Sequence, residues 1–67
     1  MEREVIKTWK NGRELYIEDN EYRLDGEWGT ATLLVARTPL GIIVTTSNKD
    51  VPKPLLHEIG ENLSRLQ

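Results

Sequence analysis

Cysteine is absent from this 67-residue chain. No disulfide can therefore hold the fold together, and no thiolate metal site is possible. A chain of this length allows one domain, residues 1–67, and such a domain buries only about 60% of the surface that it exposes when unfolded. With no covalent staple, association with a partner is the main remaining source of added stability. The lack of cysteine also agrees with a cytoplasmic location.

Two further absences exclude whole classes of protein. Nine basic and eleven acidic residues give a net charge of −2, without the strong basic excess of a DNA-coating protein. No apolar run approaches the ~20 residues of a membrane span. The N-terminal sequence MEREVIKTWK also lacks the apolar core of a signal peptide. We expect a soluble domain with no membrane partner.

The sequence offers little for catalysis. Its one histidine, His57, falls on the polar side of the predicted C-terminal helix. A nucleophile and its base need a third group that holds them in place, and no serine lies in such a constellation. We therefore expect a protein that is not an enzyme and that uses no cofactor.

Acidic residues cluster between Glu18 and Glu27. A calcium loop centred on Gly26 would have Arg23 in its third position and Thr32 in its twelfth, where oxygen ligands and a bidentate glutamate are needed. No metal site is predicted. We interpret the cluster as a solvated rim that discourages edge-to-edge pairing, with a docking patch for a basic partner as the alternative.

A first hairpin is predicted around Asn11-Gly12, because this dipeptide favours a two-residue type I′ turn. Such a turn pairs Lys10 with Arg13 and Thr8 with Leu15. The outer face of hairpin 3–18 would then combine positive charge with two aromatic rings, through Lys7, Trp9, Lys10, Arg13 and Tyr16. Single-stranded nucleic acid binders use this combination, whereas a plain cross-strand contact between the two rings is the simpler interpretation.

The segment 22–28 is predicted to be an irregular edge of the sheet, with Asp25-Gly26 as a possible turn. Trp28 falls inside it. A tryptophan in such a segment either fills a gap in the core or anchors an interface.

Residues 31–46 form the most apolar stretch, ATLLVARTPLGIIVTT, in which Arg37 is the only charge. The segment Thr38-Pro39-Leu40-Gly41 suits a type I turn followed by a glycine bulge, which sets Thr38 opposite Ile42. In this register both faces of the hairpin are apolar. One face carries Leu34, Ala36, Ile42 and Val44, and the other carries Leu33, Val35 and Ile43.

A C-terminal helix is predicted over 52–66, with Asp50 as its cap. One stripe at helical spacing is apolar, and it consists of Leu55, Leu56, Ile59, Leu63 and Leu66. Because this stripe covers one face of one sheet, the other face of hairpin 31–46 needs a different cover.

The sequence therefore predicts an α+β fold, in which two hairpins form a small antiparallel sheet of four to five strands and one helix packs on one face. The predicted function is protein–protein interaction, as a homodimer or as a docking or regulatory subunit. The predicted interface on hairpin 31–46 consists of Leu33, Val35, Ile43 and Trp28. Single-stranded nucleic acid binding through hairpin 3–18 is the alternative function.

Overall fold

A computed structural model of the chain describes residues 2–66. Five strands form one antiparallel sheet in the order β1-β2-β3-β4-β5, so that every strand pairs with its neighbour in sequence. The elements are β1 (Glu4–Thr8), β2 (Glu14–Glu18), β3 (Glu21–Gly26), β4 (Gly29–Thr38), β5 (Gly41–Thr46) and α1 (Lys53–Arg65). The predicted α+β fold is confirmed.

The turn between β1 and β2 differs from the predicted two-residue type I′ turn. The amide of Gly12 donates to the Trp9 carbonyl at 3.1 Å, and the amide of Trp9 donates to the Arg13 carbonyl at 2.8 Å. The loop therefore has three residues, and only Gly12 takes a positive φ, of 92°. The Asn11 side chain accepts from the Arg13 amide at 3.2 Å, which holds this wider turn.

The wider turn changes the register of β1. Lys7, and not Thr8, lies opposite Leu15, and the pairing shifts between Val5 and Lys7. Residues opposite each other in an antiparallel pair share a face, so Lys7 lies on the same side of the sheet as the buried Leu15. The predicted assignment of Lys7 to the outer face is wrong for this reason.

The type I′ geometry occurs one turn later, between β2 and β3. Asp19 and Asn20 have φ values of 56° and 63°, and these two residue types tolerate the left-handed region better than others. The chain then enters β3, which lies in the middle of the sheet. The predicted irregular edge over 22–28 is wrong, since 21–26 is the central strand and the turn to β4 comes at Glu27 and Trp28.

The β4–β5 hairpin also departs from its predicted register. Thr38 pairs with Gly41 and not with Ile42, so Pro39 and Leu40 alone form the loop. Gly41 has a φ of 133°, and the Thr38 hydroxyl donates to its carbonyl at 2.7 Å. Relative to the predicted pairing, β5 moves by one residue, which turns each of its side chains to the other face.

Alternation from the observed pairs assigns the two faces of this hairpin. The face toward α1 carries Leu33, Val35, Ile42 and Val44, and the face away from α1 carries Leu34, Ala36 and Ile43.

Helix α1 begins at Lys53 with Pro52 as its N-terminal cap, and no side chain caps it. The predicted cap, Asp50, lies in the preceding turn, where its amide donates to the Asn48 side chain at 2.9 Å. Proline at the cap and in the first turn leaves fewer free amides to satisfy, which removes the need for a side-chain cap. The buried helical residues are Leu55, Ile59, Gly60 and Leu63.

The core lies between α1 and one face of the sheet. It consists of Leu15, Leu24, Ala31, Leu33, Val44, Val51, Leu55, Ile59 and Leu63. The helix contacts both edge strands, because Gly60 meets β5 at Ile42 while Glu58 reaches Lys7 and Trp9 of the first hairpin.

Candidate functional site

The predicted interface residues lie on different sides of the sheet. Leu33 is only 4% exposed and belongs to the core, and Val35 is half-buried on the same side. Ile43 lies on the other face and is exposed. The structure does not bring these three side chains onto one surface, because the register of β5 differs by one residue from the predicted register.

Trp28 fills a gap at the margin of the core. Its ring lies over Gly26, where a Cβ atom would come within 2.7 Å of it, and the Arg13 guanidinium lies 4.8 Å from the ring centre on another side. The ring is half-buried and packs against the core cluster. Of the two roles that the sequence left open for Trp28, this placement matches that of a core plug.

The β4–β5 hairpin nevertheless exposes large apolar side chains. Leu34 is 71% exposed, Leu40 is 99% exposed and Ile43 is 54% exposed. We call these three residues the hairpin surface. The sequence-based prediction missed Leu34 because it paired β5 with β4 one residue out of register. It also left out Leu40, although a leucine in a turn position that usually carries a polar residue indicates an exposed contact residue.

A groove adjoins this surface between β5 and the first turns of α1. Its volume is about 550 Å³, and the residues that line it include Leu40, Ile42, Val44, Lys53, Leu56 and His57. We call it the β5–α1 groove. Its apolar lining and its volume are within the range of pockets that bind ligands or peptide side chains.

Over β1 to β3, polar contacts cover much of the same face, although Val5 at its far edge is 49% exposed. Tyr16 is only 2% exposed although it lies opposite the helix, because the Arg3 guanidinium sits 3.8 Å from its ring centre. Its hydroxyl donates to Asp25 at 2.8 Å. Burial raises the pKa of Tyr16, and the bond to Asp25 raises it further.

Arg23 forms ion pairs with three residues of the acidic segment 18–27 on the same face. Its guanidinium lies 2.7 Å from Glu18, 3.0 Å from Glu21 and 3.6 Å from Asp19. These carboxylates thus have a cationic partner within the chain. These ion pairs neutralise part of the negative charge of the acidic segment, which leaves less of it to attract a basic partner.

The five residues predicted to form a nucleic acid surface are divided between two faces. Lys7, Trp9 and Arg13 lie on the side of α1, and Tyr16 is buried on the opposite side. The indole of Trp9 donates to Glu58 at 3.0 Å, and Lys7 lies 3.7 Å from the same carboxylate. Lys10 is exposed in the turn. The arrangement offers no continuous stacking platform of the kind that single-stranded nucleic acids use.

Arg13 forms a two-pronged ion pair with Glu27 across the β1–β2 and β3–β4 turns. The guanidinium donates at 3.1 and 2.8 Å to the two carboxylate oxygens. The pKa of Glu27 is lowered from 4.5 to about 2, chiefly by this contact and further by a backbone hydrogen bond. Because the pKa is lower in the folded state, the pair stabilises the fold above pH 4.5, and this contribution is lost as the pH falls toward 2.

Replacing Arg13 by glutamine should therefore return the pKa of Glu27 from about 2 toward 4.5. Carbon-detected NMR titration of the Glu27 carboxyl measures this directly. Arg37→Gln removes the same charge at an exposed position and should leave the Glu27 pKa unchanged. A wild-type Glu27 that titrates near 4.5 would refute the ion pair.

Within residues 2–66, no group of three or more His, Cys, Asp or Glu side chains is arranged to hold a metal ion. No helix in this range has the length and apolar character needed to cross a membrane. The chain matches no protein family model, and no curated protein or solved structure matches it either.

Proposed function

We propose that this chain is a non-enzymatic interaction domain that docks on another protein through the hairpin surface. The observation that supports the proposal is the exposure of Leu34, Leu40 and Ile43 next to an apolar groove. Grouped apolar exposure of this kind is typical of interaction sites, whereas single exposed leucines are common on any surface.

The hairpin surface is also set apart from the rest of its face. Over β1 to β3 the same side of the sheet carries paired charges around Arg3 and Arg23, with Val5 as an isolated exposed apolar residue at the far edge. Apolar side chains in the centre with a polar rim around them are the usual anatomy of an interface. A cytoplasmic location is part of the proposal, since small secreted domains commonly depend on disulfides.

Nucleic acid binding ranks below protein binding. Its predicted residues lie on two faces, and two of its three predicted cations, Lys7 and Arg13, pair with Glu58 and Glu27. No observation favours it over the hairpin surface.

A photo-crosslinking amino acid at position 40 tests the proposal in cells that express the chain. Leu40 is almost fully exposed, so the replacement should leave the fold intact. We expect a discrete crosslinked protein that is absent when the same amino acid replaces Lys10, which is exposed in the opposite turn. Identical products from both positions, or none, would overturn the proposal.

The crosslinked protein, once purified, should bind the wild-type chain directly. Ile43→Glu should weaken this binding by at least about tenfold, because a charge replaces an apolar contact in a desolvated interface. Val5→Glu is the matched control, since Val5 is a similarly exposed strand residue on the same face at the far edge, with 49% exposure against 54% for Ile43. Equal effects of the two changes would argue against a specific site on the hairpin.

A further inference from the structure

The two edges of the sheet are built differently. The β1 edge carries a shift in pairing between Val5 and Lys7 and is flanked by charged residues. The β5 edge, GIIVTT, has no charge and no proline, and its pairing with β4 runs without interruption. Bulges and charges are the devices by which proteins prevent an edge strand from pairing further. The β1 edge has both, whereas the β5 edge has neither, although α1 covers it where Gly60 meets Ile42.

The observed register shows which backbone groups the β5 edge offers. Thr38 and Gly41 close a two-residue loop, and in such a loop the closing pair exchanges both hydrogen bonds. By alternation, the amides and carbonyls of Ile42, Val44 and Thr46 point away from β4. The Ile42 carbonyl meets Gly60 of α1, and the Val44 side chain is buried in the core. An added strand would therefore pair through the outward main-chain groups of Val44 and Thr46, both of which line the β5–α1 groove.

This part of the edge runs along the β5–α1 groove. The groove is apolar where Leu56 faces β5, and its titratable lining residues are Lys53 and His57. No acidic side chain among the described residues lines it, although the whole chain has a net charge of −2. The local charge therefore favours an occupant that carries a carboxylate.

We infer that the groove binds an extended segment of another protein, which adds to β5 as a sixth strand of the sheet. The main chain of the segment pairs with Val44 and Thr46, its apolar side chains pack against Leu56, and an aspartate or glutamate lies beside Lys53. The inference rests on the proposed function, since Leu40 and Ile43 line the same groove.

A second copy of the chain fits the groove less well than such a segment. The β5 strand of a second copy would bring its own helix, whose Gly60 lies against Ile42 at the same edge. Two helices would then compete for the space beside the paired strands. A linear segment has no helix attached and avoids this conflict.

Panning a phage-displayed library of random linear peptides against the full chain tests the inference. We expect enriched peptides with apolar residues at alternate positions and at least one acidic residue. Lys53→Glu should weaken their binding about tenfold, whereas Lys10→Glu, the same charge change at an exposed turn, should leave it unchanged.

Backbone methylation of an enriched peptide separates strand addition from side-chain docking alone. N-methyl groups on the residues whose amides face β5 should abolish binding, because these amides form the hydrogen bonds of an added strand. N-methyl groups on the alternate residues, whose amides face away from β5, should be tolerated. Methylation without effect, or binding indifferent to Lys53→Glu, would overturn the inference.

Two other results would also overturn it: failure to enrich any peptide, and a dimer, seen by sedimentation, that excludes the peptides from the groove. The crosslink from position 40 distinguishes these failures from failure of the proposed function. If a crosslinked protein binds through Ile43 but no peptide binds, the proposed docking through the hairpin surface is supported and the proposed addition of a sixth strand is wrong.

Discussion

Replacing Ile59 by alanine is expected to lower the free energy of unfolding by about 2–5 kcal/mol, the range for truncating a buried aliphatic side chain. Ile59 is fully buried and belongs to the core between α1 and the sheet. It is packed within the core cluster between the helix and the sheet, so the cavity left by the smaller side chain has little room to collapse. Urea unfolding measures the change.

This loss is large for so small a domain. At roughly 0.05–0.15 kcal/mol per residue, the whole fold is stable by about 3–10 kcal/mol. The substitution should therefore remove a large fraction of the total stability and shift the urea midpoint well below that of the wild type. His57→Ala is the control on the same helix, where an exposed side chain should change stability by less than about 0.5 kcal/mol. An Ile59→Ala protein with the wild-type midpoint would mean that another face of α1 meets the sheet.

Replacing Gly60 by alanine is expected to destabilise the fold by about 1–3 kcal/mol, the usual cost of overpacking. A Cβ atom at this position would lie 2.9 Å from the Ile42 carbonyl oxygen, which is backbone and cannot rotate away. Taken alone, helix propensity predicts the opposite sign, since alanine is favoured over glycine by about 1 kcal/mol in a helix. The sign of the measured change thus reports on the contact between α1 and β5.

Glu61→Ala is the control for this substitution. Glu61 follows Gly60 on the helix and is exposed, so its replacement should change stability by less than about 0.5 kcal/mol. The amide resonances of Ile42 and its neighbours should move in the Gly60→Ala spectrum and stay in place in the control. A Gly60→Ala variant more stable than the wild type would show that the helix does not approach β5 so closely.

The contact between Gly60 and Ile42 should couple the stability of the fold to peptide binding in the β5–α1 groove. Gly60 meets the edge at Ile42, while the groove opens beside Val44 and Thr46. A shift of α1 that accommodates a methyl group at Gly60 would also change the distance between Leu56 and β5. Peptide binding by this variant should therefore weaken together with its stability.

Much of the architecture can be read from the sequence because its signals are local. Of the predicted helical stripe, Leu55, Ile59 and Leu63 are buried as expected, whereas Leu56 is half-buried and Leu66 is 66% exposed. Alternating apolar residues and turn dipeptides likewise predict the hairpins and, with the helix, an α+β fold. The exposed Ile43 was identified as an interface residue on the same grounds, and its role in binding stays a prediction.

The register and the faces of the strands depend on tertiary packing, because a shift of one residue turns every side chain of a strand to the other side at little local cost. Asn11-Gly12 is compatible with either a two-residue or a three-residue loop, and the packing of Trp9 beside α1 goes with the longer one. The same ambiguity at Gly41 places Ile43 on one face with Leu34 and Ala36, and not with Leu33 and Val35 as predicted.

The β5–α1 groove could not be predicted from the sequence. It forms between β5 and the start of α1, and its position depends on how closely Gly60 lets the helix approach Ile42. The local sequence pattern predicts the two hairpins and the helix, but not the central strand β3, and it also indicates that hairpin 31–46 carries more apolar surface than one helix can cover. Which of those side chains remain exposed, and that Lys53 stands beside them, follow from long-range packing, which no local pattern of residues encodes.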